Sequence, residues 1–96
     1  MKAKLIYRQK AEIQGRFITE IIIYDVGVSR SYPGGIKYSL ICVDKKTMKK
    51  ILIDNHSPKG HHVHIDDNEM SYDFNTTDKL IDDFKKLVLD NLGVKL

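Results

Sequence analysis

The hydrophobic pattern changes its period once along the 96-residue chain, and this change limits the fold more than any other feature. Up to about residue 66, apolar residues alternate with polar ones or form short β-branched runs such as 17–26, which is typical of strands. From about residue 77 they recur at three- and four-residue steps, which is typical of an amphipathic helix. We therefore predict a single α+β domain over residues 1–96, with strands in 1–66 and one helix at about 77–92.

The predicted strands are joined by short connections. Residues 27–35 contain three glycines and one proline, and residues 44–47 form an even shorter loop. Parallel strands need crossovers of a dozen residues or more, so these loops favour an antiparallel meander. We expect a sheet of four to five strands with the helix packed on one face. The apolar stripe of that helix comprises Leu80, Ile81, Phe84, Leu87, Val88 and Leu92.

The charge of the chain, +3 in total, is unevenly distributed. Residues 1–60 contain twelve Lys/Arg and five Asp/Glu, whereas residues 61–96 contain four Lys and eight Asp/Glu. A basic surface of this kind suits phosphates or an acidic partner, and a solvated face without a partner is the alternative. Lys4, Arg8 and Lys10 are candidates for contacts with a nucleic-acid backbone, and Tyr72 is a candidate for stacking on a base.

All four histidines lie in residues 54–64, which read DNHSPKGHHVH. If the segment after the Pro-Gly turn is extended, side chains alternate between the two faces of the sheet. Val63 and Ile65 are apolar and should take the core side. We therefore expect His62 and His64 to be accessible on the other face, because buried and unpaired imidazoles are costly.

Three interpretations fit this cluster, and a hairpin would bring Asp54 and His56 beside His62 and His64. First, His56, His62 and His64 with a carboxylate could hold a metal. Second, one histidine could take a proton from a 2′-hydroxyl while another protonates the leaving oxygen. Lys59 would then stabilise the developing charge and Asp54 would orient a neighbouring imidazole. Third, the cluster could be a solvated patch without chemistry.

The same segment resembles the motif of the TumE-like family, small toxins of prokaryotic toxin–antitoxin modules. The family pattern is close to D-N-x-x-x-K-G-x-H-x-H, and it falls here on Asp54, Asn55, Lys59, Gly60, His62 and His64. The chain departs from the pattern at Pro58, His61 and Val63. The resemblance implies a toxin encoded beside a helix-turn-helix antitoxin, and it makes an RNA target plausible without supplying a reaction.

We therefore expect a cytoplasmic toxin that acts on RNA as a metal-independent endoribonuclease and needs no cofactor. His62 and His64 would be acid and base, with Lys59, Asp54 and His56 in support. The expected partners are RNA and the antitoxin, and a homodimer is left open. No apolar run approaches the length of a membrane helix or of a signal peptide. The alternative is a non-catalytic module that binds a protein or a metal through the same cluster.

Overall fold

A computed structural model describes residues 3–96 of the chain. Its elements are β1 (Lys4–Ile13), β2 (Phe17–Asp25), β3 (Ile36–Asp44), β4 (Lys50–Asp54), β5 (His62–Ile65), β6 (Asn68–Ser71) and α1 (Thr77–Leu92). The strands form one antiparallel sheet in the order β1-β2-β3-β4-β5-β6, with each strand paired to its sequence neighbours. The predicted α+β meander is confirmed, although the sheet has six strands rather than four to five.

The additional strand, β6, has the sequence NEMS and is exposed throughout. It lacks the apolar alternation by which a strand is recognised in a sequence. The strand forms because the two-residue connection Asp66–Asp67 turns the chain back along β5, so that Ile65 pairs with Asn68. Asp66 adopts a left-handed φ of 54° in this turn, a conformation that Asp tolerates better than most residues.

The core lies between α1 and one face of the sheet. Leu80, Phe84 and Val88 on the helix are fully buried, as are Leu40 and Ile53 on the strands β3 and β4 that the helix crosses. Burying a side chain of this size stabilises the fold by roughly 1.5–3 kcal/mol. The apolar stripe read from the sequence is therefore what attaches the helix to the sheet.

The helix ends where its local sequence predicts. Thr76 is the N-cap, and its hydroxyl accepts a hydrogen bond of 3.1 Å from the Lys79 amide. Gly93 adopts a left-handed φ of 73° and donates its amide to Leu89 O at 3.0 Å. At 16 residues and with a charged outer face, this helix is too short and too polar to cross a bilayer.

An ion pair between a half-exposed arginine and a buried aspartate closes the end of the sheet next to the β1–β2 turn. Arg16 donates two hydrogen bonds of 2.8 Å to the Asp44 carboxylate, whose side chain is 3% exposed. The Lys46 amide adds a third hydrogen bond at 2.9 Å. The bonds from Arg16, more than the other contacts, hold the pKa of Asp44 far below its usual range. The charge of the Asp44 carboxylate is therefore satisfied within the fold by Arg16 and the Lys46 amide.

We call the sheet surface that α1 leaves uncovered the open face. Strand register aligns Arg8 with Ile22, Ser39, Asp54 and His62 in one row across it. The next row aligns Lys10 with Glu20, Ile41, Leu52 and His64. The histidines of β5 thus point away from the core, as predicted from the alternation, and share a face with basic residues of β1.

Candidate functional site

The β4–β5 hairpin assembles the candidate site. Asp54 lies directly opposite His62 in the register, and Leu52 lies opposite His64. The predicted proximity of Asp54 to the histidines is therefore present. The loop between the strands contains Gly60, whose φ of 77° is the left-handed conformation that favours glycine. This turn directs the Gly60 carbonyl towards the ring of His62.

His62 lies between two hydrogen-bond acceptors. Its Nδ1 is 2.7 Å from Gly60 O, and its Nε2 is 2.7 Å from Asp54 Oδ1. A carbonyl oxygen can only accept, so Nδ1 is the donor in the hydrogen bond to Gly60. Oδ1 of Asp54 is buried and has no well-aligned hydrogen-bond partner, although His62 Nε2 lies 2.7 Å from it. The His62 ring is therefore held between two oxygen atoms of the same hairpin.

The expectation that both histidines are accessible is wrong for His62. Only 8% of its side chain is exposed, because Asp54, the Gly60 carbonyl and the His64 ring surround it. The burial is on the open face and not under α1, and the ring is paired there. Of these two histidines, His64 is the accessible one, with 22% of its side chain exposed.

His64 contacts His62 edge-to-face, with ring centroids 4.7 Å apart and planes at 81°. On its other side, Nδ1 of His64 is 4.0 Å from Glu69 Oε2. Lys59 Nζ lies 3.2 and 3.3 Å from the two Glu69 oxygens. The hydrogen bond and the charge of Lys59 lower the pKa of Glu69, so this carboxylate stays ionised at neutral pH. Asp54, Lys59, His62, His64 and Glu69 together form what we call the histidine cluster.

Glu69 was missed by the sequence analysis. It lies in the exposed strand β6, where His64 is its direct partner in the register. A signal for it was available, since a two-residue turn at 66–67 places residues 64 and 69 opposite each other. The strand around Glu69 has no apolar pattern, so this turn is the only sequence feature that indicates the pairing of Glu69 with His64.

The cluster also contains a candidate metal-binding group. One ligand atom from each of His62, His64 and Glu69 lies within 4.8 Å of the others. The sequence-based set of fallback ligands was His56, His62 and His64. His56 is exposed in the loop, and its side chain makes no ring contact, ion pair or hydrogen bond with the cluster in residues 3–96. The third possible metal ligand beside His62 and His64 is therefore Glu69 and not His56.

The basic residues of β1 lie at the far edge of the sheet from the cluster. Arg8 and Lys10 share its face but are four strands away, roughly 19 Å by strand spacing. Arg8 is also 3.6 Å from Glu20. A bulge between Leu5 and Tyr7 shifts the alternation, so that the register places Lys4 on the other face. Lys4 therefore lies apart from the Arg8 and Lys10 side of the sheet.

Tyr72 lies on the helix side of the sheet. Its hydroxyl donates a 2.6 Å hydrogen bond to Asp83 on α1, and its ring packs against the core. Burial, followed by the contact with Asp83, raises the pKa of Tyr72. In this position Tyr72 joins the end of β6 to the helix and is not beside the histidine cluster.

His61 points to the opposite side from His62 and takes part in a group of rings. Its imidazole is stacked on Phe74 with centroids 5.1 Å apart and planes at 5°, and Tyr38 lies 5.6 Å away. Tyr38 Oη is 2.8 Å from His61 Nδ1. Partial desolvation of the ring where it packs against Phe74 and Tyr38, with a smaller effect from His62, lowers the pKa of His61. The sequence pattern indicates no role for His61, because the stack requires Phe74, whose position depends on the path of the chain after β6.

The rings of His61 and Phe74 form part of the wall of a pocket of about 230 Å³. The loop 31–34 forms the opposite part, and Ile36, Asn55 and Gly60 complete it. Asn55 is buried, and its amide is already used within the fold: Oδ1 accepts from Tyr38 N at 2.9 Å and Nδ2 donates to Ile36 O at 2.7 Å. The pocket and the histidine cluster thus lie on opposite sides of one hairpin.

Comparison with protein families identifies the chain. The family described as Toxin TumE matches residues 2–92. This match covers nearly all of the 96 residues, so the chain belongs to the TumE toxin family, and the resemblance read from its motif is confirmed. Comparisons with curated proteins and with solved structures gave no match. The role is accordingly that of a toxin.

Proposed function

We propose that this toxin cleaves RNA by metal-independent transesterification at the histidine cluster. The observation that carries the proposal is the pairing of two imidazoles in unlike settings. His62 is buried between the Gly60 carbonyl and the Asp54 carboxylate, and His64 is partly exposed, with the two ring centroids 4.7 Å apart. A pair of titratable groups whose environments differ in this way is the arrangement expected of an acid and a base.

The reaction would involve two proton transfers, one to His64 and one from His62. His64 takes the proton of a 2′-hydroxyl, the oxygen attacks the adjacent phosphorus, and the bond to the 5′-oxygen breaks to leave a 2′,3′-cyclic phosphate. His62 gives a proton to the departing 5′-oxygen. Lys59, whose side chain is 60% exposed beside the cluster, stabilises charge on the phosphorane. Asp54 is a positioning residue that orients the His62 ring from 2.7 Å away.

The remaining assignments follow from the same proposal. RNA would cross the open face, with its backbone near Arg8 and Lys10, which share that face with the cluster. The neutralising partner would be a helix-turn-helix antitoxin, and the toxin would act in the cytoplasm, where its substrate is found.

The test compares purified wild type, His62→Ala, His64→Ala and Lys59→Ala on a pool of total RNA, with thermal melts as folding controls. Each histidine variant should lose about 10²–10⁴-fold in rate. The double variant should lose much less than the product of the two, because the groups act as a unit. If both histidine variants are folded and cleave as fast as wild type, the histidines are not the catalysts.

A matched control exists for Lys59. Lys45 is an exposed lysine that also pairs with a glutamate at 3.2 Å, but it lies at the β3–β4 turn. Lys45→Ala should therefore cleave like wild type, whereas Lys59→Ala should be slower. Equal losses in the two variants would mean that general positive charge, and not the position of Lys59, supports the reaction.

A metal-binding role is the second candidate, and the proximity of His62, His64 and Glu69 favours it. Three ligands with a free position would suit zinc, which activates a bound water. The two candidates differ in EDTA. Activity that persists in EDTA supports the metal-free reaction, whereas activity that is lost in EDTA and restored by zinc supports the metal site.

A further inference from the structure

We propose that the pocket between the His61–Phe74 ring pair and the loop 31–34 binds one nucleobase of the RNA substrate. This inference rests on the proposed function, because it gives that site a means of selecting its substrate. The pocket lies outside the histidine cluster and adds a set of residues that the proton-transfer chemistry does not use.

The size and the walls of the pocket suit a single planar group. Its volume of about 230 Å³ is below the range of roughly 300–1,000 Å³ that is usual for drug-sized ligands. The rings of His61 and Phe74 are stacked within 5° of parallel, and both line the pocket, so its wall offers aromatic rings of one orientation. Proteins bind unpaired bases by stacking them on surfaces of this kind, aromatic side chains and histidine included.

His61 also offers a directed hydrogen bond. The Tyr38 hydroxyl is 2.8 Å from Nδ1, and burial raises the pKa of Tyr38, so this phenol keeps its proton and can donate it to Nδ1. A neutral His61 that accepts at Nδ1 carries its own proton on Nε2. Since the His61 residue is exposed, that N–H is available to an acceptor on a base edge. Asn55 shapes the pocket without reading the base, because its amide is already paired.

The position of the pocket connects it to the cluster. Gly60 lines the pocket, and its carbonyl accepts the hydrogen bond from His62. His61 and His62 are consecutive, so their Cα atoms are only about 3.8 Å apart although their side chains point to opposite faces. A nucleotide with its base in the pocket would therefore bring its backbone around Gly60 to the cluster. Cleavage should show a base preference at the nucleotide held there.

The first measurement is binding, which does not depend on catalysis. NMR spectra of the labelled full chain are recorded during titration with AMP, GMP, CMP and UMP, and with ribose 5-phosphate as a probe without a base. We expect at least one mononucleotide to shift the ring signals of His61 and Phe74 saturably, while ribose 5-phosphate does not. If none of the four mononucleotides shifts these signals, the proposal is overturned.

Variants test the stacking and the hydrogen bond separately. His61→Ala should weaken mononucleotide binding by about fivefold or more, the factor expected for a lost base–aromatic stack. His61→Phe keeps a ring but removes the N–H, so it should bind and lose preference among the four bases. Tyr7→Ala removes an exposed aromatic residue at the opposite edge of the sheet and is the matched control. Equal weakening in Tyr7→Ala and His61→Ala would overturn the proposal.

The cleavage pattern separates this inference from the proposed function. Mononucleotide binding by a protein that cleaves no RNA would refute the proposed function and leave the pocket as a nucleotide site. Cleavage by wild type with a base preference that His61→Ala leaves unchanged would refute the pocket and leave the proposed function. Loss of the preference in folded His61→Ala, with cleavage retained, supports both.

Discussion

Asn55 should be one of the costliest polar residues to replace, although it is not part of the histidine cluster. Its side chain satisfies two backbone groups at the start of β3: Tyr38 N at 2.9 Å and Ile36 O at 2.7 Å. Asn55 is 4% exposed and Tyr38 is 2% exposed, so water cannot replace the amide at Tyr38 N. The residue therefore substitutes for a strand partner where β4 has already ended.

The expected loss follows from these contacts. In Asn55→Ala the buried N–H of Tyr38 has no acceptor, which costs about 1–3 kcal/mol. The carbonyl of Ile36 is less buried, and its lost hydrogen bond adds about 0.5–1.5 kcal/mol. The sum, about 1.5–4.5 kcal/mol, is a large part of the roughly 5–15 kcal/mol that a domain usually has. Asn91→Ala is the matched control, since Asn91 makes one exposed hydrogen bond to Leu87 O.

Urea unfolding followed by circular dichroism measures both variants, and an unchanged m-value shows that only stability has changed. A change of less than about 0.5 kcal/mol in Asn55→Ala would refute the reasoning, since it lies within the range of an ordinary surface substitution.

Asn55→Asp gives a second test of the same contacts. A carboxylate still accepts from Tyr38 N but cannot donate to Ile36 O, whereas a protonated carboxyl can. Relative to wild type, this variant should therefore lose stability as the pH rises from below about 4.

Three further predictions concern the fold. Phe84→Ala should destabilise the protein by about 3–5 kcal/mol, because its ring is fully buried between the helix and the sheet. A loss below about 1 kcal/mol in urea unfolding would contradict this. Tyr72→Phe should raise the pKa of Asp83 towards its usual value, because the Tyr72 hydrogen bond is the main cause of its lowering; an unchanged NMR titration of Asp83 would contradict this. Arg16 lowers the pKa of Asp44, so this carboxylate contributes stability above about pH 4 that is lost as the pH falls towards the folded pKa. Asp44→Asn should flatten that part of the pH dependence in urea unfolding, and an equally steep acid limb would contradict the assignment.

The parts of the fold that depend on local sequence were predictable. The helix and its ends follow from a three-to-four-residue stripe, the Thr76 hydroxyl and Gly93. The approach of Asp54 to His62 follows from a hairpin with a Pro-Gly turn. The exposed strand β6 was not predictable from pattern, because its residues neither alternate nor reach the core.

The candidate site was less predictable because contacts across several elements determine it. Alternation places His62 on the open face, but its burial depends on the Gly60 carbonyl and on the Asp54 carboxylate. The stack of His61 on Phe74 depends on the course of the chain after β6. The face of the sheet on which Lys4 lies depends on the bulge between Leu5 and Tyr7, and a strict two-residue alternation does not predict that bulge.

The position of β1 at the edge of the sheet has a consequence for hydrogen exchange. This ten-residue strand is hydrogen-bonded to β2 alone, and the helix packs across β3 and β4 instead. Its amides should exchange through local opening, at a lower free energy than those of the central strands. The basic residues Arg8 and Lys10 thus lie on an edge strand that the helix does not cover. A ligand held by them would slow exchange along β1 and leave the protection of the core strands unchanged.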